Sequence, residues 1–202
     1  MKLYQIPKCP FAHRARIVLG EKKLAYSVVY FESKTRPTEL AAVSPDARSP
    51  TIFDEANDTW VWDSSVVAEY LDERYPDTPL LPKDPSDRAR TRLLMREADS
   101  KIGAAGGALV EEFVHKAPEA RDPAKPEQVL PRLHQALELW DSRLAEQPFF
   151  CGAEFTLADV VVYTPLCSIA GLVSWERAIP ERLKHLSAWR ARVSLRPSTA
   201  YA

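Results

Sequence analysis

A run of evenly spaced prolines divides this chain into two parts of different character. Proline recurs at every third position from 76 to 85, which favours a stiff, extended connection over a helix. Segments that look like strands precede this run, whereas only helical patterns follow it. We therefore expect a first domain over residues 1–76, a linker over 77–85 and a second, all-helical domain over 86–202.

The first part of the chain alternates strands with helices. Short β-branched or aromatic runs predict strands, and apolar residues at helical spacing predict helices between them. The strand segments are 3–6, 25–31, 51–53 and 59–62, and helices follow Cys9, Pro37 and Asp63. The predicted order is β-α-β-α-β-β-α. The first β-α-β unit implies parallel pairing with a right-handed crossover, and the later hairpin adds an antiparallel edge.

The second part carries long helical patterns. Helices are expected over 87–116 and 127–146, from a start at 155–159, and over 180–193. Thr156 and Asp159 fit a capping box at that start. The run Ile102–Gly107 is unusual for a helix interior, since each glycine costs about 1 kcal/mol relative to alanine. Its small side chains either open a pocket or allow close backbone approach at a dimer contact.

Charge and cysteine content argue against several functional classes. A net charge of −1 leaves no basic footprint for nucleic acid or an anionic membrane. The N terminus lacks the apolar core of a signal peptide. The longest uncharged run, 160–175, is short and contains Pro165, so no membrane span is expected. Three cysteines argue against a disulfide framework and for a reducing cytoplasm, and the four histidines show no metal spacing.

Cys9 stands where the first strand gives way to the first helix, and Pro10 suits the first helical position. The unpaired N–H groups and the dipole of a helix start favour an anion, so this thiol should ionise readily and act as a nucleophile. The alternative is a small buried apolar filler, the role expected of Cys151 and Cys167. Position 12 is alanine, so no C-x-x-C pair exists and a small soluble thiol is the expected resolving partner.

These features together resemble the glutathione S-transferase superfamily over essentially the whole chain. The segment 9–12, Cys-Pro-Phe-Ala, looks like the omega-type motif, in which cysteine replaces the tyrosine or serine of other classes. The segment 48–51, Arg-Ser-Pro-Thr, looks like the stretch before the third strand, whose proline is cis in the family. The resemblance implies a thioredoxin-like α/β N-terminal domain, an all-α C-terminal domain, glutathione as co-substrate, no metal, and a homodimer.

The resemblance also implies where glutathione binds. The backbone of Ser49 would pair with the cysteinyl part, and Asp63 with Ser64 would hold the γ-glutamyl end. Arg36 would pair with the glycyl carboxylate. Taken alone, Asp63 and Ser64 read as an ordinary helix cap, and Arg36 as a solvated charge. The implied glutathione-binding residues are Phe11, Arg36, Arg48, Ser49, Pro50, Asp63 and Ser64.

Three functions of different kinds fit this sequence. The first is a glutathione-dependent thiol transferase or reductase, in which Cys9 forms a mixed disulfide and acts on an electrophilic or disulfide small molecule. The second is a conventional conjugating transferase, in which bound glutathione is itself the nucleophile. The third is a non-catalytic partner of RNA polymerase, because segments 15–19 and 71–76 resemble stringent starvation protein A. That group generally lacks a thiol at this position, so Cys9 favours an enzyme.

Overall fold

The contacts in the structure divide the chain into two compact units. The structure is a computed structural model that describes residues 1–32, 35–44, 46 and 48–200. One unit comprises residues 1–80 together with the segment that begins at Arg196, and the other comprises residues 81–195. We expected the segment after residue 195 in the second domain, whereas its described residues, 196–200, have their contacts within the first unit.

One mixed sheet of four strands, counted over the described residues, organises the first unit. The strands are β1 (Lys2–Gln5), β2 (Ser27–Tyr30), β3 (Thr51–Asp54) and β4 (Thr59–Trp62). Strand β1 pairs in parallel with β2 and antiparallel with β3, and β3 pairs antiparallel with β4. The spatial order is β2-β1-β3-β4. The predicted parallel β-α-β unit and the antiparallel hairpin are both confirmed.

Helices between and after these strands complete the first unit. They are α1 (Pro10–Glu21), α2 (Thr38–Val43) and α3 (Ser64–Arg74). The apolar positions Ala15, Val18 and Leu19 of α1 are fully buried, as their helical spacing predicts. Several residues of α1 depart from that pattern, since Phe11 is 45% exposed, whereas Arg14 is only 1% exposed and His13 and Arg16 are also buried. A charged side chain thus occupies an interior position of this helix.

A buried ion pair joins the C-terminal ends of α1 and α3. The ammonium of Lys22 lies 2.8 Å from Asp72 Oδ1, and both side chains are almost completely buried. The same ammonium donates hydrogen bonds to the carbonyl oxygens of Tyr75 and Thr78, each at 2.9 Å. Because these bonds satisfy the buried charge, they hold the two helices together at the end opposite to Cys9.

The segment after residue 195 packs along α1. Arg196 donates two hydrogen bonds to the carboxylate of Glu21, at 2.8 and 2.6 Å, and Ser198 donates a third. The carbonyl of Thr199 lies 3.3 Å from Nε2 of the buried His13. Sequence patterns could not locate this segment, because its partners lie some 175 residues earlier in the chain.

The second unit is helical and, among its described residues, contains no strand. Its helices are α4 (Pro85–Val110), α5 (Lys125–Arg143), α6 (Leu157–Val173), α7 (Trp175–Ala178) and α8 (Lys184–Ser194). The long first helix was predicted to reach Lys116, but α4 ends at Val110 and continues as a wider π turn over Glu111–His115. At this turn, the carboxylate of Glu112 accepts a hydrogen bond from the Asp122 N–H at 2.6 Å.

The predicted capping box at the start of α6 is present. Asp159 is fully buried, and its Oδ2 accepts from both the N–H and the hydroxyl of Thr156, at 2.9 and 3.0 Å. Its Oδ1 accepts from the Phe150 N–H at 3.1 Å and from the Trp189 indole N–H at 2.8 Å. Asp159 therefore serves the packing of this unit. None of the described helices is long and apolar enough to cross a membrane.

The small-residue run lies inside α4. A Cβ added at Gly106 would lie 3.7 Å from Ile169 of α6, an ordinary packing distance, whereas nothing lies within 4 Å of one added at Gly103 or Gly107. Ala104 and Ala108, with residues of α5, line a cavity of about 500 Å³. Within this unit, small side chains thus open space beside α4.

Candidate functional site

Cys9 is the N-cap residue of α1. Its backbone is extended, with φ of −71° and ψ of 120°, and its carbonyl accepts the first helical hydrogen bond from the His13 N–H at 3.0 Å. Its side chain does not cap the helix. Instead, Sγ lies 3.7 Å from the carbonyl oxygen of Ser49, to which the thiol donates. The half-buried thiol thus lies between a helix start and the loop that precedes β3.

The loop before β3 is held against β1 by Ser49. The hydroxyl oxygen of Ser49 accepts a hydrogen bond from the Ile6 N–H at 3.0 Å. The Ser49–Pro50 peptide bond is cis, as the family resemblance implies. The Thr51 hydroxyl donates to the Arg48 carbonyl at 2.8 Å and closes the turn. These contacts place the backbone of Ser49 next to the thiol of Cys9.

Asp63 caps α3 from an unusual backbone conformation. Its Oδ1 accepts from the N–H groups of Ser65 and Val66 at 2.9 and 3.4 Å. Its φ is +70°, in the left-handed region that non-glycine residues rarely adopt. Its Oδ2 has no hydrogen bond within the described residues. One carboxylate oxygen therefore serves the helix, and the other is open to a donor such as an ammonium group.

Arg14, which was not among the site residues predicted from the sequence, joins the start of α3 to α1. Its Nη1 donates to the hydroxyls of Ser64 and Ser65 at 3.1 and 2.9 Å. Its guanidinium carbon also lies 5.7 Å from the centre of the Phe11 ring. Charged residues in helices usually lie at the surface, so the residue type gave no signal of this burial. The structure thus brings Phe11 and Ser64 together through Arg14.

The two other implied arginines lie on the segments that flank α2. Arg36 and Arg48 are both exposed. Arg48 forms a long, exposed ion pair with Asp46, at 3.4 Å. The side chain of Arg48 is therefore a solvated charge rather than a buried binding group. Exposed pairs of this kind contribute little to stability, which leaves the side chain available to exchange partners.

The remaining cysteines lie in different surroundings from Cys9. Burial raises the pKa of the Cys151 thiol, which accepts a hydrogen bond from the Thr91 hydroxyl at 3.3 Å. Burial raises the pKa of Cys167, on α6, to about 12. Burial thus disfavours the thiolate, which is the nucleophilic form, at both positions.

Two family models match the chain and together cover well over half of it. The model described as "Glutathione S-transferase, N-terminal domain" matches residues 8–74, and "Glutathione S-transferase, C-terminal domain" matches residues 108–192. The first match contains Cys9, Ser49, Asp63 and Ser64. Both matches agree with the order of domains expected from the sequence.

Individual proteins resemble the chain along much of its length. A Coxiella burnetii stringent starvation protein A homolog is 33% identical over 80% of this chain and 72% of that protein. The pyrimidodiazepine synthase of Drosophila melanogaster is 27% identical over 98% of this chain and 78% of that protein. The omega-2 glutathione S-transferase of Mus musculus is 33% identical over 47% of this chain and 38% of that protein. The crystal structure of a glutathione S-transferase domain-containing protein from Marinobacter aquaeolei VT8 superposes with a TM-score of 0.82. The sequences are 28% identical, and the superposition covers 99% of this chain and 100% of that chain.

Proposed function

The chain belongs to the glutathione S-transferase superfamily, and from this membership we propose that it is a glutathione-dependent thiol transferase whose nucleophile is Cys9. The observation that carries the proposal is the position of the thiol. Cys9 is the N-cap residue of α1, and its Sγ lies 3.7 Å from the Ser49 backbone, with which the cysteinyl part of glutathione is proposed to pair. Helix starts favour the thiolate, which is the form that attacks disulfides.

Glutathione binds, in this proposal, across the loop before β3 and the start of α3. The Ser49 backbone pairs with the cysteinyl part, which brings the glutathione sulfur next to Cys9. The open Oδ2 of Asp63 accepts from the γ-glutamyl ammonium. The hydroxyl of Ser64 and the helix start receive the γ-glutamyl carboxylate. Phe11 and Pro50 provide apolar contacts, and Arg36 pairs with the glycyl carboxylate.

The reaction consists of two thiol–disulfide exchanges. In the first, the Cys9 thiolate attacks the glutathione sulfur of a glutathionyl mixed disulfide, and the substrate leaves as its thiolate. In the second, a second glutathione thiolate attacks the Cys9–glutathione disulfide, which releases Cys9 and forms glutathione disulfide. Summed over both steps, one free glutathione thiol converts the glutathionyl disulfide into the substrate thiol and glutathione disulfide, and Cys9 is regenerated. The second thiol is external in this proposal, because position 12 is alanine and Cys9 has no C-x-x-C partner.

The test compares two assays in the wild type and in Cys9→Ser. The wild type should reduce hydroxyethyl disulfide with glutathione and should conjugate chlorodinitrobenzene poorly, because the Cys9 thiolate competes with bound glutathione as the nucleophile. Cys9→Ser should abolish the reduction and can raise conjugation, since a hydroxyl only donates a hydrogen bond to the glutathione sulfur. Strong conjugation that is unchanged in Cys9→Ser would favour a conventional conjugating transferase instead.

The similarity to stringent starvation protein A homologs favours a second candidate function. In that case the chain is a non-catalytic partner of RNA polymerase, as the sequence resemblance implies. The two candidates differ in their need for Cys9. Recovery of RNA polymerase with the purified protein, together with no activity in either assay, would favour the binding function.

The proposal also includes a homodimer in a reducing, cytoplasmic compartment. Members of this superfamily usually dimerise, and three free cysteines suit a reducing environment. Light scattering at micromolar concentration measures the mass directly. A dimer mass is expected, and a monomer mass would contradict this part of the proposal.

A further inference from the structure

Arg14 is a buried cation that contacts Ser64, the residue proposed to bind the γ-glutamyl carboxylate of glutathione. It lies on α1, five residues after Cys9, and is 1% exposed. Its partners Ser64 and Ser65 are the first two residues of α3. A buried charge is costly unless hydrogen bonds satisfy it, so these contacts are a specific arrangement rather than an accident of the surface.

The direction of these hydrogen bonds is determined by chemistry. A guanidinium carries only donors, so both serine oxygens must accept. A serine hydroxyl has one proton to donate. Because the Ser64 oxygen accepts from Arg14 at 3.1 Å, its own proton points away from Arg14 and is available to another acceptor. The hydroxyl is thereby prepared to donate to an anionic ligand.

The neighbouring groups recognise the two charges of an amino-acid head group. Asp63 presents an open carboxylate oxygen, which suits an ammonium. The start of α3 and the Ser64 hydroxyl suit a carboxylate, and the guanidinium of Arg14 adds positive charge behind them. We propose that Arg14 is a positioning residue, which orients Ser64 to receive the γ-glutamyl carboxylate of glutathione. This inference rests on the proposed function of the site.

The test compares glutathione with an analogue that lacks this carboxylate, 4-aminobutyryl-cysteinyl-glycine. Calorimetry measures the affinity of each ligand for the wild type, Arg14→Met and Ser64→Ala. Arg14→Met should weaken glutathione by about tenfold, the usual effect of one lost hydrogen bond to a charged group. It should leave the affinity for the analogue unchanged. A merely structural role would weaken both ligands to the same extent.

Three further variants complete the test. The double variant Arg14→Met/Ser64→Ala should bind glutathione no more weakly than either single variant, because both remove the same contact. Ser65→Ala is the matched control, since it removes the neighbouring hydroxyl from the same guanidinium and should leave glutathione affinity nearly unchanged. If Arg14→Met does not fold, Arg14→Lys replaces it. Lysine retains the charge but loses the planar geometry, and should give a smaller loss confined to glutathione.

The outcomes separate this inference from the proposed function. If the wild type binds glutathione and Arg14→Met or Arg14→Lys binds it equally well, or if the losses for glutathione and the analogue are equal, Arg14 does not position Ser64. If the wild type does not bind glutathione at millimolar concentration, the proposed function itself fails, and this inference fails with it. A loss restricted to glutathione and absent in Ser65→Ala supports the inference.

Discussion

Asp63 and Asp84 cap helices α3 and α4 through the same two hydrogen bonds. In each case Oδ1 accepts from the N–H groups two and three residues further on, at 2.9 and 3.4 Å for Asp63 and at 2.8 and 3.1 Å for Asp84. The backbones differ, since φ is −68° at Asp84 and +70° at Asp63. Capping therefore does not require a positive φ, and the cap alone does not explain the left-handed backbone of Asp63.

The surroundings of the two aspartates differ in the same sense. Asp84 is exposed at the start of its helix, whereas Asp63 is half-buried beside a serine that accepts from a buried arginine. Left-handed backbone at a non-glycine residue costs about 1–3 kcal/mol and is concentrated at binding and catalytic sites. Asp84 thus has a structural role alone, whereas the backbone of Asp63 supports the proposal that this residue both caps α3 and binds the γ-glutamyl ammonium.

The largest expected effect concerns a third aspartate at a helix start, Asp159. Asp159→Ala should lower the free energy of unfolding by about 4 kcal/mol, because it leaves several buried donors without an acceptor. Asp84→Ala is the control and should lose about 1 kcal/mol, the usual value for an exposed N-cap. Denaturant unfolding measures both. Equal losses would contradict a special role of Asp159 in the fold.

The next effect concerns the start of α1, where His13 is buried. Burial, with a smaller contribution from the positive charge of Arg16, lowers the pKa of His13 to about 4. The unfolded chain therefore binds a proton below pH 6.5 that the folded chain binds only near pH 4. This difference should remove about 3 kcal/mol of stability as the pH falls through that window, and none above it. The difference between the stability curves of the wild type and His13→Gln isolates this contribution from that of the carboxylates.

A surface histidine provides the control for this pH dependence. His185→Gln replaces an exposed histidine of α8 and should leave the acid dependence of stability unchanged. If His13→Gln and the wild type lose stability in parallel between pH 6.5 and 4, His13 is not the group responsible.

The direct test of the comparison is glutathione binding. Asp63→Ala should weaken glutathione by about tenfold, since the γ-glutamyl ammonium loses its charged partner. Asp84→Ala removes a cap of the same geometry and should leave the affinity unchanged. Calorimetric titration of both variants measures the difference. Equal glutathione affinities of the two variants would mean that Asp63 acts only as a helix cap.

The smallest effect concerns the backbone of Asp63. Glycine adopts positive φ without strain, whereas alanine does not. Asp63→Gly should therefore be more stable than Asp63→Ala by about 1 kcal/mol, beyond any such difference between Asp84→Gly and Asp84→Ala. Thermal unfolding of the four variants measures this difference. Its absence would mean that the left-handed backbone at position 63 carries no strain.

Local patterns predicted the elements of this molecule well. The β-branched runs and helix starts of residues 1–76 identified the strands and helices of the sheet, and Thr156 with Asp159 identified the start of α6. These signals are local, because periodicity and capping involve residues only a few positions apart. The predicted family followed from the order of these local features and is confirmed by the two matching models.

Long-range contacts were beyond the reach of such patterns. The burial of Arg14 depends on serines 50 residues away, and the place of the segment after residue 195 depends on Glu21. The end of α4 was also missed, because nothing in the local sequence signals the π turn at Glu111–His115. The roles of Arg36 and Arg48 stay predictions, since both are exposed side chains whose function depends on a bound ligand.

The most direct test of the proposed function is a mass spectrum of the protein after incubation with glutathione disulfide. We expect one glutathione adduct, located on Cys9 by peptide mapping, which is released on addition of free glutathione. We expect no adduct in Cys9→Ser, because burial raises the pKa of both Cys151 and Cys167. An adduct on either of those cysteines, or an unmodified Cys9, would contradict the claim that Cys9 is the nucleophile.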